Sequence, residues 1–351
     1  MLQPTGRRNP FRSTSQSELP VRIERFGREH IDAAADLFAE GYRCQRRRVP
    51  ALPARHEDPG SLGDVLDELV GISEGVAATE AGRLVGYLFG IRIPSFKGTA
   101  AGIYAPVWAH GARGNDRAAV YQEIYEAASR RWAELGCPTH VITIYPDDEA
   151  ATETLFRNGF GLLVVDALRG SEPFTAAEIA GVSTRAATVE DIDMLLPLTL
   201  GLGRHLAAAP IFLPLFELPS REHWLGWFLQ RGHRVWIATA GGEAVAYLRC
   251  QPPTSDVAYV AQDDATIAIT GAYTKPEWRG QGISRLLLVR ALDWARQAGY
   301  ERCSVDFESA NSAGSAFWLR NFQPICHSLI RRADDRVCSA ENLAWQPAVG
   351  G

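Results

Sequence analysis

Several signatures of common site types are missing from the sequence. The six cysteines include no C-x-x-C pair and the eight histidines no H-x-x-x-H pair. We therefore expect neither a metal site nor a disulfide framework in a chain of this size. The pattern G-x-x-x-x-G-K-[ST] does not occur either, so a nucleotide-binding module with a phosphate loop of the hydrolase type is disfavoured.

The sequence also lacks a basic excess and a long apolar run. Its net charge of −5 and pI of about 5.9 argue against a nucleic-acid partner, which would require a basic face. No apolar run approaches the ~18 residues that span a bilayer, and the first residues show no apolar core of signal-peptide length. We therefore expect a cytoplasmic chain with reduced cysteines and no membrane contact.

The 351 residues that are present suffice for about two domains at ~150 residues each. Residues 1–20 are polar and are expected to form a disordered tail. The patterns that follow predict strands, helices and turns in this order: strand Val21–Phe26, helix Glu29–Gly41, surface loop Arg43–Pro59, helix Leu62–Gly71, a hairpin within Gly75–Arg92, strand Gly102–Trp108, helix Asp116–Leu135, strand His140–Tyr145, helix Glu149–Asn158 and strand Phe160–Leu168.

The second half repeats this order. The predicted elements are strand Val182–Ala187, helix Asp191–Leu206, loop Ala207–Pro219, helix Arg221–Gln230, a hairpin of Val235–Ala240 with Glu243–Cys250, a strand from Ile267, helix Ile283–Ala298, strand Cys303–Phe307, helix Ser312–Arg320 and closing strands near Pro324–Arg331 and Val337–Ala344. Short sequences recur about 160 residues apart, such as Glu29-His30-Ile31-Asp32 and Glu190-Asp191-Ile192-Asp193. An internal duplication is the better interpretation, with domains 21–170 and 182–346.

One stretch of the second half, Thr270–Ser284, has the order of an anion site. A β-favouring run is broken at Pro276 and passes through Arg279-Gly280-Gln281-Gly282 into a helix. The first N–H groups of a helix have no partner within it, and its dipole is positive there. Gly280 and Gly282 lack a Cβ atom, so a phosphate can approach the backbone closely.

Two motifs of the second half resemble those of the GCN5-related N-acetyltransferases, the GNAT superfamily. Arg279-x-x-Gly282-x-Ser284 is similar to the pyrophosphate loop Gln/Arg-x-x-Gly-x-Gly/Ala, with Ser284 at the last small residue. Asn311 to Phe322 is similar to Asn-x-x-Ala-x-x-Phe-Tyr-x-x-x-Gly-Phe, with Gly314 at the Ala, Trp318 at the Tyr and Asn321 at the Gly. The resemblance in element order extends over nearly all of Val21–Trp345.

The resemblance implies an α/β fold, with two tandem GNAT domains that each contain a mixed sheet flanked by helices and a cleft between splayed strands. It implies acetyl-CoA as the acetyl donor and no metal. The implied contacts are backbone groups near Ala272, Tyr273 and Thr274 and the side chain of Asn311 for the pantetheine arm, with Trp318 beside them, and Arg279, Gly280, Gln281, Gly282, Ile283 and Ser284 for the pyrophosphate.

The resemblance further implies direct transfer of the acetyl group to a primary amine of a small molecule or peptide, by a monomer or homodimer. The alternative is a non-catalytic acyl-CoA sensor. Asp306, five residues before Asn311, matches a glutamate that some members use as the base, and Glu308 is the second candidate. Trp318 cannot act as an acid because its indole N–H only donates, so either Tyr273 replaces the family's tyrosine or the thiolate leaves unprotonated.

The corresponding turn of the first half differs in one residue type. Asp116 follows Arg113-Gly114-Asn115 where the second half has Gly282. A carboxylate at a helix N-terminus satisfies the dipole and repels a phosphate. We therefore expect the first domain to be structural, with a surface for the acceptor.

Overall fold

The computed structural model describes residues 21–73, 75–95, 101–214, 220–254, 258–334 and 336. The predicted tail 1–20 and the predicted strand near Val337–Ala344 lie outside these residues. Within the described ranges, no helix combines the length and apolarity needed to cross a bilayer.

The first half begins with a strand and two helices, runs through consecutive strands and ends with two helix–strand units. Its strands are β1 (Arg22–Arg25), β2 (Val76–Glu80), β3 (Arg83–Leu88), β4 (Ile91–Ile93), β5 (Gly102–Ala105), β6 (His110–Ala112), β7 (Thr139–Ile144) and β8 (Gly161–Gly170). Its helices are α1 (Ile31–Arg48), α2 (Gly60–Ile72), α3 (Arg117–Glu134) and α4 (Glu149–Arg157).

The second half follows the same order. Its strands are β9 (Val182–Ala186), β10 (Arg234–Ala240), β11 (Glu243–Gln251), β12 (Thr266–Thr274), β13 (Arg302–Glu308) and β14 (Gln323–Arg332). Its helices are α5 (Ile192–Ala207), α6 (Arg221–Phe228), α7 (Ile283–Gln297) and α8 (Ser312–Trp318). Residues 171–181, between β8 and β9, contain neither helix nor strand.

The strands form two sheets. A four-stranded antiparallel sheet has the order β1-β2-β3-β6, and a ten-stranded mixed sheet has the order β4-β5-β7-β14-β8-β13-β12-β11-β10-β9. Among the described residues of the large sheet, two pairs of strands are parallel, β5 with β7 and β12 with β13. The mixed α/β architecture is therefore as the sequence predicts.

The centre of the large sheet joins the two halves by an exchange of their last strands. β14, the last described strand of the second half, lies between β7 and β8 of the first half. β8, the last strand of the first half, in turn pairs with β13 of the second half. The two halves thus share one sheet instead of meeting at closed edges.

Local details of the two halves correspond closely. At the 3₁₀ turn before α1 and at the one before α5, a backbone N–H donates to the side chain three residues later, from Gly27 to His30 Nδ1 and from Thr188 to Asp191 Oδ2. Each hairpin, β2–β3 and β10–β11, turns through two residues of positive φ, which are Ala81 and Gly82 in the first and Gly241 and Gly242 in the second. Each hairpin also shifts register at its Ala-Thr pair. Positive φ at both turn positions matches the twist of a two-residue hairpin.

Helix α1 is longer than the sequence patterns predict. The prediction ended it at Gly41 and made Arg43–Pro59 a surface loop, but the helix continues to Arg48 and a 3₁₀ turn covers Ala54–Glu57. Tyr42 and Gln45 are buried, so the apolar face continues past the glycine. A Cβ atom at Gly41 would lie 3.5 Å from the ring of Tyr145, so the glycine serves close packing there.

The predicted strand Gly102–Trp108 is likewise interrupted. It ends at Ala105, and the chain re-enters strand structure at β6, which pairs with β3 in the smaller sheet. Pro106 stands at the interruption and has no N–H to donate to a ladder. In the second half the equivalent strand, β12, is continuous. Pro106 thus accounts for the small sheet that separates from the large one in the first half only.

Polar and aromatic contacts also tie the halves together. Arg302 of β13 donates from Nε to the Ala51 carbonyl over 3.0 Å and from Nη1 to Asp263 over 2.8 Å. The ring of Tyr259 lies 4.8 Å from that of His56 and 5.8 Å from that of Trp108. The first and second halves therefore fold against each other over more than the shared strands.

We predict that neither half folds alone. A fragment from Val182 to the end would lack β8, so β13 and β14 would each expose an unpaired edge. Size-exclusion chromatography and near-UV circular dichroism should show aggregated or non-native material for either fragment, while co-expression of residues 1–175 with 176–351 restores a soluble complex. A monodisperse, native-like monomer of the isolated second half would contradict this prediction.

Candidate functional site

The parallel strands β12 and β13 separate partway along their length. Their register runs from Thr266–Arg302 to Ile269–Val305 and then stops, although both strands continue. On its other side β12 shifts register against β11 between Arg249 and Cys250, which leaves Thr270 as the extra residue. A bulge bends its strand, so the cleft opens where β12 turns away from β13.

The glycine-rich turn lies at the end of β12. Gly280 and Gly282 have φ of 76° and 90°, and Gly282 is the N-cap of α7 without a capping side chain. A Cβ atom at Gly280 would meet nothing within 4 Å, and one at Gly282 only Ile179 Cδ1 at 3.9 Å. The space in front of the first helical N–H groups is thus open to an anion.

Two hydrogen bonds hold this turn against the strand, and a third lies within the turn. Arg279 Nε donates to the Thr274 carbonyl over 3.0 Å, and the hydroxyls of Thr274 and Ser284 lie 2.9 Å apart. Gln281 Nε2 donates to the Glu277 carbonyl over 3.2 Å. These side chains thus make hydrogen bonds to the protein itself. The backbone N–H groups at the start of α7 are therefore the donors we expect for a ligand.

A cavity of about 470 Å³ extends from this turn along α7 and α8. It contains nearly every residue that the sequence analysis assigned to the cofactor, namely Ala272, Tyr273, Thr274, Arg279, Gly280, Gly282, Ile283, Ser284, Asn311 and Trp318. Gln281 alone of that set is not among the lining residues. The structure thus brings residues from three separate elements into one cleft, with the size of a small-molecule site.

Asn311 begins α8 and faces the same cavity. Its Oδ1 accepts from the Gly314 N–H over 3.1 Å, so the side chain caps the helix. A Cβ atom at Gly314 would lie 2.6 Å from Asn311 Nδ2, which explains a glycine where the motif has alanine. The side chain of Asn311 is therefore fixed at the mouth of the cleft.

His205 is a cavity residue that the sequence analysis missed. It lies near the end of α5, and its Nε2 is 3.2 Å from Asn311 Oδ1. Since the amide oxygen only accepts, the histidine donates and its Nδ1 is left as an acceptor when the ring is neutral. A lone histidine at the end of an apolar helix carries no sequence signal of this role.

Two tyrosines from neighbouring strands line the inner part of the cavity. Tyr247 and Tyr273 are register partners on β11 and β12. Burial raises the pKa of Tyr247, so its phenol stays protonated. Trp318 is buried against Phe317 and Phe322, with ring centroids 4.8 and 5.6 Å away. The donors with an O–H group on this wall are therefore the tyrosines.

Asp306 and Glu308, the predicted catalytic carboxylates, are not among the residues that line this cavity. They occupy β13 beyond its last pair with β12, where the two strands have separated. Asp306 is solvent-exposed and Glu308 is half-buried. They lie on the same face of β13, since both are even-numbered positions of one strand. Both thus stand beyond the point at which the cleft opens.

The first half has a smaller cavity of about 330 Å³ in the corresponding place. Asp116 caps α3 through a 3.0 Å bond from the Ala119 N–H, and Asp148 caps α4. The Asp148 carboxylate also binds Arg117 Nη2 at 2.5 Å and the Tyr121 hydroxyl at 3.0 Å. Carboxylates thus stand where the second half has Gly282 and Asn311.

Comparison with known proteins gives a family match in the half that carries the open glycine turn. Residues 204–322, which lie in the second half, match the acetyltransferase (GNAT) family. A GCN5-related N-acetyltransferase from Sphaerobacter thermophilus superposes over 90% of this chain and 96% of its own, with a TM-score of 0.55 and 14% identity. No curated protein sequence matches the chain.

A second solved structure contains a region described as a GCN5-related glucosamine N-acetyltransferase in a fungal multi-domain GH3 β-N-acetylglucosaminidase. It superposes over 92% of this chain, which spans 39% of that protein, with a TM-score of 0.50 and 13% identity. Residues 204–322 thus match the GNAT family, and the fold of the chain as a whole is similar to that of these two structures.

We predict that Gly282→Asp abolishes acetyl-CoA binding while the fold survives. The new carboxylate would face the pyrophosphate at the start of α7, and like charges repel. Gly282→Asn is the matched control, because it imposes the same side-chain size and the same positive φ without the charge. Calorimetry should give a dissociation constant at least ~100-fold larger for the aspartate variant, about 2.7 kcal/mol, and a much smaller change for the asparagine variant. Equal losses would attribute the effect to strain instead.

Proposed function

We propose that the protein transfers an acetyl group from acetyl-CoA directly to a primary amine of a small molecule or peptide, at the cleft of the second half. One observation carries the proposal: an open glycine turn at a helix N-terminus leads into a cleft that starts where two parallel strands separate. A pyrophosphate suits the first part and an extended pantetheine arm the second.

The cleft offers matching groups along the donor. The N–H groups of 282–284 would hold the pyrophosphate, and the backbone of Ala272 and Thr274 would pair with the pantetheine amides as an added strand does. Asn311 would contact the arm from the opposite side. The donor's thioester would then lie near the bulge at Thr270, where β12 leaves β13.

The acceptor amine must lose a proton before it attacks, since an ordinary amine is protonated at pH 7. Asp306 is the proposed base, because it is an exposed carboxylate one residue beyond the last pair of β12 and β13. It would take the ammonium proton directly or through one water. The free nitrogen then forms the C–N bond with the thioester carbonyl.

Collapse of that adduct breaks the C–S bond and releases coenzyme A. The nitrogen gives up its second proton, and the departing sulfur takes one up. Tyr273 is the proposed donor because it lines the cleft, whereas Trp318 occupies the position of the family's tyrosine and cannot serve. Release of the thiolate without protonation is the alternative.

Turnover separates this function from the alternative of an acyl-CoA sensor, which the tryptophan at position 318 favours. Thiol release from acetyl-CoA would be followed with a panel of amines, small molecules and peptides alike. Amine-dependent release that requires an intact Gly282 supports the enzyme. Tight acetyl-CoA binding with no amine-dependent release across the panel supports the sensor.

We predict one acetyl-CoA site per chain, in the second half. Asp116 and Asp148 place negative charge at both positions where a phosphate and a pantetheine amide would bind in the first half. Isothermal titration calorimetry should give a stoichiometry of one, unchanged in the Asp148→Asn variant. Two equal sites, or a site lost only through changes to the first half, would contradict the assignment.

We also predict that Asp306→Asn lowers kcat by ~10²-fold or more, because the amide keeps the size and hydrogen bonding of the side chain but not its basicity. Affinity for acetyl-CoA should stay nearly unchanged, and the acidic limb of the pH–rate curve should disappear. Glu308→Gln is the control on the same face of β13. Full activity of Asp306→Asn with loss of activity in Glu308→Gln would identify Glu308 as the base. Full activity of both variants would indicate that solvent accepts the proton of the amine.

A further inference from the structure

The exchanged strands place a second carboxyl group beside the proposed base. Asp306 of β13 is the register partner of Asp166 on β8, which belongs to the first half. Directly opposite residues of an antiparallel pair project to the same face, with Cβ atoms ~4.5–5.5 Å apart. Each half of the chain therefore contributes one carboxyl group to a pair at the point where β12 and β13 separate.

The two members of this pair have different surroundings. Asp166 is 9% exposed, whereas Asp306 is open to solvent. Both line one small void that is too small to hold a water molecule, together with residues Ala167, Ala258, Ala261, Ala268, Ile269, Ser304, Val305 and Ile325. Apart from Ser304 these neighbours have apolar side chains, so none of their side chains carries a charge that would compensate one on Asp166.

The pKa of Asp166 is raised to about 8, first by burial and then by the negative charge of Asp306, while a hydrogen bond with the backbone of Ala258 acts in the opposite direction. The other titratable groups near the pair are Cys326, the register partner of Asp166 on β14, Tyr104, and Glu308 on β13. None of these is cationic. Two carboxyl groups that cannot both ionise at low cost share one proton over a wide pH range.

We propose that Asp166 is a positioning residue of the catalytic site, which forms a one-proton pair with Asp306 and orients its carboxylate toward the acceptor. The proposal rests on the proposed function, since it needs Asp306 as the base. A neutral carboxyl group can donate one hydrogen bond to a carboxylate. The proton resides on Asp166 because that side is buried, and solvent stabilises the charge on Asp306. The first half thereby contributes to catalysis in the second.

The pair also predicts how stability depends on pH. The raised pKa means that the folded chain binds more protons than the unfolded chain between about pH 3.8 and pH 8. Stability therefore falls as the pH rises through this window. Asp166→Asn cannot ionise, so its melting temperature should exceed that of the wild type increasingly from pH 5 to pH 8. The melting temperature of Asp306→Asn should depend less on pH than that of the wild type, because the variant lacks the negative charge that opposes ionisation of Asp166.

The kinetic test compares Asp166→Asn with Asp166→Ala. The asparagine keeps a hydrogen-bond donor for Asp306, so kcat at pH 7 should stay within about threefold of the wild type, whereas the alanine should lose at least tenfold at unchanged acetyl-CoA affinity. Above pH 8 the wild type loses the proton on Asp166, whereas the asparagine variant keeps its donor, so the ratio of the Asp166→Asn rate to the wild-type rate should rise. Titration of the substrate amine affects both enzymes equally and cancels in this ratio. The corresponding ratio of the Glu308→Gln rate to the wild-type rate should not change with pH.

Several results would overturn the inference. An alanine variant within twofold of wild-type kcat would make Asp166 dispensable. Equal losses in both variants, with a flat rate ratio, would make its role structural. If the wild type shows no turnover at all, the proposed function fails and the positioning role with it. The melting curves then show separately whether the carboxyl pair exists, so the two failures can be distinguished.

Discussion

The exchange of β8 and β14 is the constraint on which the other features of this molecule depend. Backbone N–H and C=O groups of a central strand must be paired, and β13 obtains its second partner from the first half of the chain. Since β13 forms one wall of the opening cleft, the position of that wall depends on a strand located about 140 residues earlier in the sequence. The cleft is thus built by both halves, although its motifs lie in one.

The two halves show how small substitutions separate two sites on a common framework. An arginine donates to the end of the preceding strand in both, Arg117 to the Ala112 carbonyl and Arg279 to the Thr274 carbonyl. The backbone differs at the cap itself, since Asp116 has φ of −118° and Gly282 has φ of 90°. Side-chain charge differs as well, because the N-cap of α3 is an aspartate and that of α7 a glycine. Suitability for an anion thus depends on the local backbone and charge of these few residues and not on the fold alone.

Features that follow from local sequence were predictable, and those that depend on distant partners were not. The hairpin turns, the glycine turn and the cap at Asn311 each rest on residues within one short segment, and all lie where the sequence indicated. Gly41 misled the prediction because its role is set by Tyr145, far along the chain. The contact of His205 with Asn311 and the register of Asp166 with Asp306 arise from tertiary pairing, which periodicity does not reveal.

Because Asp166 comes from the first half, the carboxyl pair restricts which changes of sequence and register β8 can accept. If the first half only covered surface, its strands could change freely. β8 cannot, because a register shift of one residue would turn Asp166 to the opposite face of the sheet and bring a different side chain beside Asp306. The flanking residues Val165 and Ala167 are buried in the core of the second half, which fixes that register. The packing of the first half's last strand therefore sets the environment of Asp306, the proposed base.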